Sequence, residues 1–556
     1  MELRLGPLLR YVDDTRATVW VETSAPCEVE VLGHRARTWT VHGHHYALVR
    51  IEGLTPASET PYEVRLDETL VWPPEDGEFG PSVIRTPRAD GTFRLTFGSC
   101  RRSAPFDEKG FKEFGPDALV ALAERMAAGA EDPPDAILLL GDQVYADDPS
   151  DAVLEKLREA HGGRQGSEVA DEIGNFGEYT WLYDDSWVTP AVRWLFSTVP
   201  LCMLLDDHDL RDDWNTSLTW RRWVTSQPWW HDRVVGAYAS YWVYQHLGNL
   251  SPEQLDQDAT YKAMLSIEDD DERTAYLDSF AWTADEDPAS TRWSFYRDFG
   301  HASRGVRLVA VDSRCSRHLD PGERAMVDAH EWEWVRRHTV GATRPIHHLL
   351  LASTLPFLLA PGLHHLEGWD EAISSGAWGR RGSRIGEKIR QGMDLEHWAS
   401  FRKSLDDVTD LLADVVGAED PPASILMLSG DVHCSYIAEA RLTAVDHPGT
   451  AIRQLTMSPF RNPVPQHIRW GNHLLDKRWM TTLLHKLARA AGVQDVAADW
   501  RIAHGPWFEN GAMTVALSGE DWAVDVDHAE LRGERQVLDR TLTYGRLDSP
   551  SKRLMS

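Results

Sequence analysis

The first 88 residues alternate apolar and polar side chains with a period of two. Four such stretches, separated by Gly, Pro and Asp, are Thr18–Glu22, Cys27–Val31, Tyr46–Ile51 and Tyr62–Leu66. Strict alternation is typical of half-buried strands, and the residues between the stretches are typical of turns. The pattern predicts a small all-β sandwich at residues 1–88, with an accessory role, packed against the rest of the chain.

A different pattern begins at Phe93. The apolar run Phe93–Phe97 is followed by apolar residues at helical spacing, and a second apolar run follows at Ile137–Leu140. A strand, a helix and a strand in this order are typical of a parallel, layered domain. We therefore predict a domain of the α/β or α+β class over residues 92–535, with a helical insertion at about 212–292. Residues 536–556 are predicted to form a tail.

Two further segments carry local predictions. Gly376–Gly392 contains several Gly and a pair of Arg residues, and this composition predicts a mobile loop able to cover a site. Two alternating stretches, Ala512–Leu517 and Trp522–Val526, are separated by a short polar connection and predict a hairpin.

Composition and net charge limit the classes of partner that the chain is expected to bind. The chain of 556 residues has a net charge of −30, which does not favour non-specific binding to nucleic acid or to an anionic membrane. A small phosphoester substrate stays compatible with this charge, because bound cations reverse the local field. The five Cys residues form no CxxC pair, so the sequence indicates no disulfide framework. The first residues do not resemble a signal peptide, so we expect a cytoplasmic protein, or an exported one if a leader was removed.

Acidic and histidine residues recur where apolar runs end. Ile137–Leu140 is followed by Gly141 and Asp142, and a similar run at 424–429 is followed by Gly430 and Asp431. A third run, at 201–205, is also followed by acidic residues. Ligands of open α/β folds bind beyond the carboxyl ends of strands. The residues collected there are Cys100, Asp142, Tyr145, Asp207, His208, Asp431 and His433.

This set of side chains indicates two unlike metal ions. Carboxylates suit hard cations, whereas imidazole and thiolate select transition metals. Asp142 is the candidate bridge between the two ions. Phenolate from Tyr145 and thiolate from Cys100 together favour trivalent iron over zinc alone. Taken singly, Cys100 is also compatible with a buried structural thiol, Tyr145 with a packing residue, and His208 with a metal ligand or a group behind one.

Four motifs resemble the PhoD-type alkaline phosphatases (alkaline phosphatase D), a branch of the calcineurin-like metallophosphoesterases. They lie in order over residues 92–530: Phe97-Gly-Ser-Cys100, Gly141-Asp142-Gln-Val-Tyr145, Asp206-Asp207-His208-Asp209 and Gly430-Asp431-Val-His433. In the N-terminal module, the segment from Gly53 to Val64 resembles the fibronectin type III turn, in which the hydroxyl of a Tyr, here Tyr62, bonds back to the backbone.

The resemblance implies a four-layer αββα domain that holds iron(III) and calcium. By position, Cys100, Asp142, Tyr145 and His433 match the iron ligands, and Asp207 and Asp431 match ligands of the second ion. Zinc, manganese or magnesium are alternatives for that second ion. His208 matches a histidine that lies beside the leaving oxygen and acts as an acid or stabilises the transition state. Arg101 and Arg314, together with Arg102 and Arg461, are candidates to bind the substrate phosphate.

The predicted function is a metal-dependent phosphoesterase that hydrolyses phosphate monoesters by attack of a metal-bound hydroxide. Diesters are left open as further substrates. One alternative is a phosphodiesterase or phospholipase-like hydrolase acting at the same site. A second alternative is a non-catalytic binding protein on a phosphatase fold. That alternative predicts the loss of ligand residues, yet every motif position is filled.

Overall fold

The computed structural model describes residues 1–88, 91–160, 169–299, 305–342, 345–445, 449–464 and 477–547. The N-terminal module is all-β, as the alternation predicts. Its strands are β1 (Leu3–Val12), β2 (Ala17–Thr23), β3 (Glu28–Val31), β4 (His34–Arg37), β5 (Trp39–Val41), β6 (His44–Ile51), β7 (Glu59–Pro61), β8 (Val64–Leu66), β9 (Thr69–Trp72) and β10 (Val83–Arg85). Two four-stranded sheets, in the orders β1-β2-β6-β5 and β4-β3-β8-β9, enclose a common core of mostly aliphatic side chains.

The second domain is built on two mixed sheets. Its strands are β11 (Phe93–Gly98), β12 (Ala136–Leu140), β13 (Leu201–Leu204), β14 (Phe295–Phe299), β15 (Val306–Val311), β16 (His348–Ser353), β17 (Ser424–Ser429), β18 (Ser435–Leu442), β19 (Ala451–Thr456), β20 (Ala498–Trp507), β21 (Gly511–Ser518), β22 (Asp521–Arg532) and β23 (Arg535–Arg546). One sheet has the order β13-β12-β11-β21-β22-β23, and the other has the order β14-β15-β16-β17-β19-β18-β20.

Helices cover the outer faces of both sheets. Those described are α1 (Glu108–Phe114), α2 (Ala118–Ala127), α3 (Asp151–Ala160), α4 (Phe176–Trp187), α5 (Pro190–Thr198), α6 (Leu218–Val224), α7 (Trp230–Tyr244), α8 (Pro252–Gln257), α9 (Ala259–Ser266), α10 (Asp270–Glu286), α11 (Ala329–Thr339), α12 (Pro361–Ser374), α13 (Gly379–Gly392), α14 (Arg402–Val416) and α15 (Arg478–Ala490). Three short 3-10 helices lie between them. Over the described part of the chain, no helix is both long and apolar enough to cross a lipid bilayer.

The four layers follow from the period of the strands. In β12, Leu138 and Leu140 face the second sheet, in an apolar core that both sheets share. Ile137 and Leu139 alternate with them and pack instead against the helices on the outer face. A strand that is apolar on both faces belongs in the middle of such a stack, because each face meets another layer. The predicted αββα arrangement is therefore confirmed.

Parallel pairing brings the chemistry-bearing strand ends to one edge. In the first sheet β11, β12 and β13 are parallel, and in the second sheet β15, β16, β17 and β19 are parallel. The segments that follow these strands therefore meet at the carboxyl edge, where open α/β folds bind ligands. The predicted hairpin is also present, as the antiparallel pair β21 and β22.

Three local predictions are wrong. Gly379–Gly392 is a helix, α13, and not a mobile loop. The predicted tail begins too early, because β23 continues to Arg546 and pairs with β22; residues 548–556 lie outside the described part. Instead of bonding back to the backbone of its own module, the hydroxyl of Tyr62 donates to the carbonyl oxygen of Ser197 in α5, at 2.6 Å, and so joins the two domains.

Candidate metal centre and active site

Asp142 occupies the turn that follows β12. Its backbone has a positive φ of 51°, and Gly141 before it has a φ of 85°. A Cβ on Gly141 would lie 2.3 Å from the Cβ of Asp206, so only glycine permits the two strand ends to approach this closely. Asp209 accepts a hydrogen bond from the backbone N–H of Asp142, at 3.0 Å. The turn is thus held so that Asp142 lies beside the end of β13.

One group of potential ligands consists of Cys100, Asp142 and His433. Their ligand atoms all lie within 4.8 Å of one another, and Cys100 Sγ is 3.3 Å from Asp142 Oδ2. His433 Nδ1 lies 2.9 Å from the carbonyl oxygen of Asn462, which assigns the proton to Nδ1 and leaves Nε2 free to bind a metal. Thiolate, carboxylate and imidazole together suit a transition metal.

Tyr145 lies beside this group of Cys100, Asp142 and His433. Its hydroxyl accepts a hydrogen bond from Asn462 Nδ2 at 3.0 Å. Burial raises the pKa of Tyr145 well above its usual range, and the nearby Asp142 and Cys100 raise it further. A phenol in this position ionises only if a cation offsets the surrounding negative charge. Tyr145 is therefore placed to complete a donor set for a highly charged ion.

A second group shares Asp142 with the first. One carboxylate oxygen from each of Asp142, Asp206 and Asp207 lies within 4.8 Å of the other two. Asp142 Oδ1 and Asp206 Oδ2 are buried and have no hydrogen-bond partner. Unpaired buried carboxylate oxygens are costly unless a cation binds them. All-oxygen donors suit a hard cation, so the residues present fit a pair of unlike metals that share Asp142.

The electrostatics of Asp142 point the same way. Burial raises its pKa well above the usual range; His208 counters the shift, whereas Asp206 and Asp207 add to it. Burial likewise raises the pKa of the Cys100 thiol, and Asp142 strengthens the effect. These groups become anionic together only when positive charge is supplied, which is the action of a bound metal ion.

Asp431 lies at the edge of the second group. One of its oxygens is 3.5 Å from Arg314 Nη2 and the other is 3.7 Å from His397 Nε2. Its backbone N–H donates to Ser99 Oγ at 2.8 Å. Asp206, which the motif contains but to which the sequence assigned no role, belongs to the group with Asp142 and Asp207, and Asp431 does not.

The two predicted phosphate-binding arginines differ in position. Arg314 is fully buried and forms ion pairs with four carboxylates around the second group, those of Asp206, Asp207, Glu396 and Asp431. Burial lowers its pKa, but the surrounding carboxylates raise it well above the usual value, so it stays charged. Arg314 is a structural counter-ion whose donors face the protein.

Arg101 does not reach the centre. It is buried, and its guanidinium donates to Asp117 and to Ser186. We therefore correct its assignment to phosphate binding. Gln143, whose role the sequence left open, is also buried and donates to the carbonyl oxygen of Gly141 at 2.9 Å. Asn215 donates to the carbonyl oxygen of Arg314 at 3.1 Å, so its amide supports the loop after β15.

His208 lies beside this centre and is held by Asp147. Its Nδ1 is 3.0 Å from each oxygen of the Asp147 carboxylate, which also accepts the backbone N–H of Asp212 at 2.7 Å. The ring of His208 packs 4.9 Å from that of Tyr145, measured between centroids. Burial lowers the pKa of His208, but the charge and hydrogen bond of Asp147 outweigh this and raise it well above 6.5.

His397 and Asn462 are site residues to which the sequence assigned no role. The Nδ1 of His397 lies 2.6 Å from Glu367 Oε1, and its buried Nε2 has no hydrogen-bond partner. Burial lowers the pKa of His397, yet Glu367 and Asp431 raise it to about 9. His397 lies in Asp394–Trp398, a segment that resembles a Trp-containing helix start of the PhoD-type family, whereas Asn462 belongs to none of the motifs.

Arg102 is the arginine candidate that retains exposure at this edge. Its guanidinium carbon lies 5.5 Å from the centroid of the Tyr145 ring, and its side chain is 17% exposed beside Asp148. Arg461, in contrast, donates to the backbone carbonyls of residues 104, 105 and 115. Arg102 is therefore better placed than the other three candidates to meet a substrate phosphate.

Comparison with known proteins agrees with this geometry. Residues 114–264 match the model of the PhoD-like phosphatase family. This match supports a phosphoester hydrolase, and it agrees with the resemblance to PhoD-type phosphatases that the motifs carry.

The solved structure of PhoD is similar over 98% of this chain and 90% of its own, with 12% sequence identity and a TM-score of 0.58. At this identity the likeness shows a shared fold. A maltogenic amylase from S. marinus (8% identity, covering 95% of this chain and 77% of its own) and an amylomaltase from Corynebacterium glutamicum (11% identity, covering 88% and 90%) both have a TM-score of 0.17 and carry no argument. Residues 1–84 match a domain of unknown function, DUF7800. No curated protein matches the sequence.

Proposed function

We propose that this PhoD-like phosphatase is a metal-dependent phosphoesterase that hydrolyses small phosphate monoesters. Hydrolysis of diesters at the same site is the alternative that the assay below compares. The proposal rests on one observation above all: Asp142 belongs to two adjoining groups of buried ligand atoms of different chemistry. A site for one metal ion, whether soft or hard, would not need both sets of donors.

The chain supplies a ligand set for each ion. Cys100, Tyr145 and His433 would hold iron(III) together with Asp142, and Asp206 and Asp207 would hold calcium or another divalent ion. Metals bound as such a pair polarise the phosphoryl group and lower the pKa of water for in-line attack. The positive φ angles of Cys100, Asp142 and His433 are 55°, 51° and 48°. Strained backbone of this kind fixes the direction of each ligand before a metal binds.

His208 acts on the leaving group in this proposal. Its Nδ1 is occupied by Asp147, so its Nε2 carries the proton that can be given to the departing oxygen. The charge and hydrogen bond of Asp147 raise the pKa of His208 and so favour the protonated ring. Proton donation of this kind matters most for esters whose alkoxide is a poor leaving group.

Metal analysis combined with activity assays tests the proposal. The protein is purified without chelator, its metals are measured, and hydrolysis of p-nitrophenyl phosphate is compared with that of bis-p-nitrophenyl phosphate. We expect bound iron, loss of activity with chelator and recovery when iron and calcium are returned. Asp142→Ala should abolish both metal binding and activity, whereas Asp151→Ala, which changes an exposed aspartate that pairs with Lys109, should change neither. Full activity of chelated protein or of Asp142→Ala would overturn the proposal.

A further inference from the structure

Two helices at the surface carry a concentration of basic and apolar side chains. α13 has five basic residues and one acidic residue, and α15 has three basic residues and none that is acidic. This is unusual in a chain whose net charge is −30. We call the exposed faces of α13 and α15, with the flanking Trp378 and Met393, the basic-apolar patch.

The exposed face of α13 combines both kinds of side chain. Ile385 is 57% exposed, and Arg381 and Lys388 are exposed four residues before it and three after it. Residues at this spacing lie side by side on a helix. The opposite face is fixed inward, because a Cβ on Gly386 would lie 2.3 Å from the side chain of Ser374, at the end of α12. Ile385 therefore points away from the protein.

α15 repeats this design. Trp479 and Leu483 are 59% and 54% exposed and lie one turn apart, with Lys486 exposed on the next turn. The buried Leu484 packs with Leu366 of α12 in a small apolar cluster, to which Ile389 of α13 also contributes. Both helices thus pack against α12.

Few acidic groups pair with the basic residues of the patch. Glu387, the acidic residue of α13, is hydrogen-bonded to Ser217 Oγ at 2.5 Å and lies 3.3 Å from the buried Arg390. Asp495, beyond the end of α15, pairs with His485 at 2.8 Å and lies 3.9 Å from Arg489. Within the described part of the chain, the exposed Arg381 and Lys388 of α13 form no ion pair, so they can meet an external negative charge.

The chemistry of the patch selects its partner. Single exposed apolar residues are ordinary, but Trp, Ile, Leu and Met gathered on two basic helices are typical of surfaces that lie in the headgroup region of a bilayer. A nucleic acid would use the basic residues but leaves the apolar ones without a role. We propose that the basic-apolar patch docks on the surface of an anionic phospholipid bilayer. This inference does not depend on the proposed metal chemistry.

Docking there would bring the bilayer close to the metal centre. Met393, 51% exposed, is followed directly by the segment that carries Glu396 and His397. Glu396 pairs with Arg314, and His397 lies 3.7 Å from Asp431. A few residues of chain thus join the patch to the surroundings of the metal centre.

Vesicle flotation tests the proposal with the full chain. The protein is mixed with vesicles of phosphatidylcholine alone, or with an equal part of phosphatidylglycerol, at low and high salt. We expect binding to the anionic vesicles that weakens with salt. Each basic side chain at an anionic surface contributes about fivefold to binding, so Arg381→Glu with Lys388→Glu should lower the partition coefficient at least about 20-fold. Trp479→Ser with Leu483→Ser should also release the protein.

A matched control separates the patch from general surface effects. Arg37→Glu with Leu265→Ser removes one exposed basic residue and one exposed apolar residue elsewhere, and it should leave flotation unchanged. Hydrolysis of soluble p-nitrophenyl phosphate by the patch variants should match that of the parent, which shows that they fold. The proposal fails if the parent does not float with anionic vesicles, or if the patch variants float as the parent does. It also fails if the patch instead binds a second copy of the chain. In that case the parent would sediment as a dimer, and the variant with Trp479→Ser and Leu483→Ser would sediment as a monomer.

Discussion

The contact between Asp147 and His208 gives the sharpest test of the proposed chemistry. Both oxygens of Asp147 lie 3.0 Å from His208 Nδ1. Asp147→Asn keeps the size of the side chain and an acceptor oxygen, but it removes the negative charge. A hydrogen bond to a charged group contributes about 1 kcal/mol more than a hydrogen bond between neutral groups. The pKa of His208 should therefore fall, because a neutral amide stabilises the protonated ring less than a carboxylate does.

Comparing substrates with different leaving groups shows whether Asp147 positions His208 for catalysis or only supports the fold. For an alkyl phosphate, the Asp147→Asn variant should lose about fivefold in kcat, the equivalent of that 1 kcal/mol, and His208→Ala should lose about 10²- to 10⁴-fold. p-Nitrophenolate leaves readily without a proton, so its ester should lose much less with both variants. KM should change little, because the interaction forms with the leaving oxygen only as the bond breaks.

Steady-state kinetics on the two esters, with metal content measured on the same samples, provide the assay. Asp151→Asn is the control, since this carboxylate is exposed and pairs with Lys109. Equal losses on both esters would show that Asp147 acts on folding or metal binding, and the assignment of His208 as the acid would then be refuted.

Three further predictions concern the metals, the counter-ion and pH. Cys100→Ser should lose most of its iron while the circular dichroism spectrum stays unchanged, which metal analysis can check. Arg314→Met should lower the stability by about 3–5 kcal/mol, because four buried carboxylates lose their cation; denaturant midpoints would show this, with Arg501→Met, at an exposed site, close to neutral. Burial, followed by the charge of Arg10, lowers the pKa of His246 from 6.5 to about 3, so the unfolded chain binds its proton first and stability falls as pH drops below 6.5. At pH 5 this loss is about 2 kcal/mol, and His246→Phe should show a smaller drop in melting temperature between pH 7 and pH 5 than the parent.

The strand ends of the site could be predicted because the signals are local. Ile137–Leu140 is apolar at every position, and such a strand must lie between two layers. Gly141 and Asp142 then mark the point where the chain leaves the core. The relation between β12 and β17, more than 280 residues later, follows from the same local pattern at each strand. Parallel pairing turns these separate signals into one site.

The residues that support the ligands could not be predicted in this way. Arg101 and Arg314 both follow strand ends, yet one bonds to Asp117 and the other to four carboxylates around the site. The difference depends on which side chains fold against each guanidinium, and adjacent sequence does not contain that information. His397 and Asn462 act through contacts of the same kind.

α13 shows why composition misled the prediction of a loop. Gly lowers helix propensity by about 1 kcal/mol relative to Ala, and this segment contains several. The helix forms because Ile389 packs on α12, and Gly386 is required there for close approach. Tertiary packing therefore outweighs the unfavourable propensity. The same packing leaves Ile385 and Arg381 outward, so the error in the loop prediction and the basic-apolar patch have one physical origin.

The sequence changes pattern between the β module and the catalytic domain, but the side chains of the two pack into one continuous apolar core. Trp20 and Tyr46 of the module belong to the same apolar core as Tyr244 at the end of α7, and the Tyr46 and Tyr244 hydroxyls lie 3.0 Å apart. The buried Arg10 donates to the carbonyl oxygens of Tyr244 and Gln245, so the module supplies the groups that cap this helix. Removing residues 1–88 would leave those carbonyls unpaired and expose an aromatic face. The module is therefore a structural part of the catalytic unit, and the isolated catalytic domain should be insoluble.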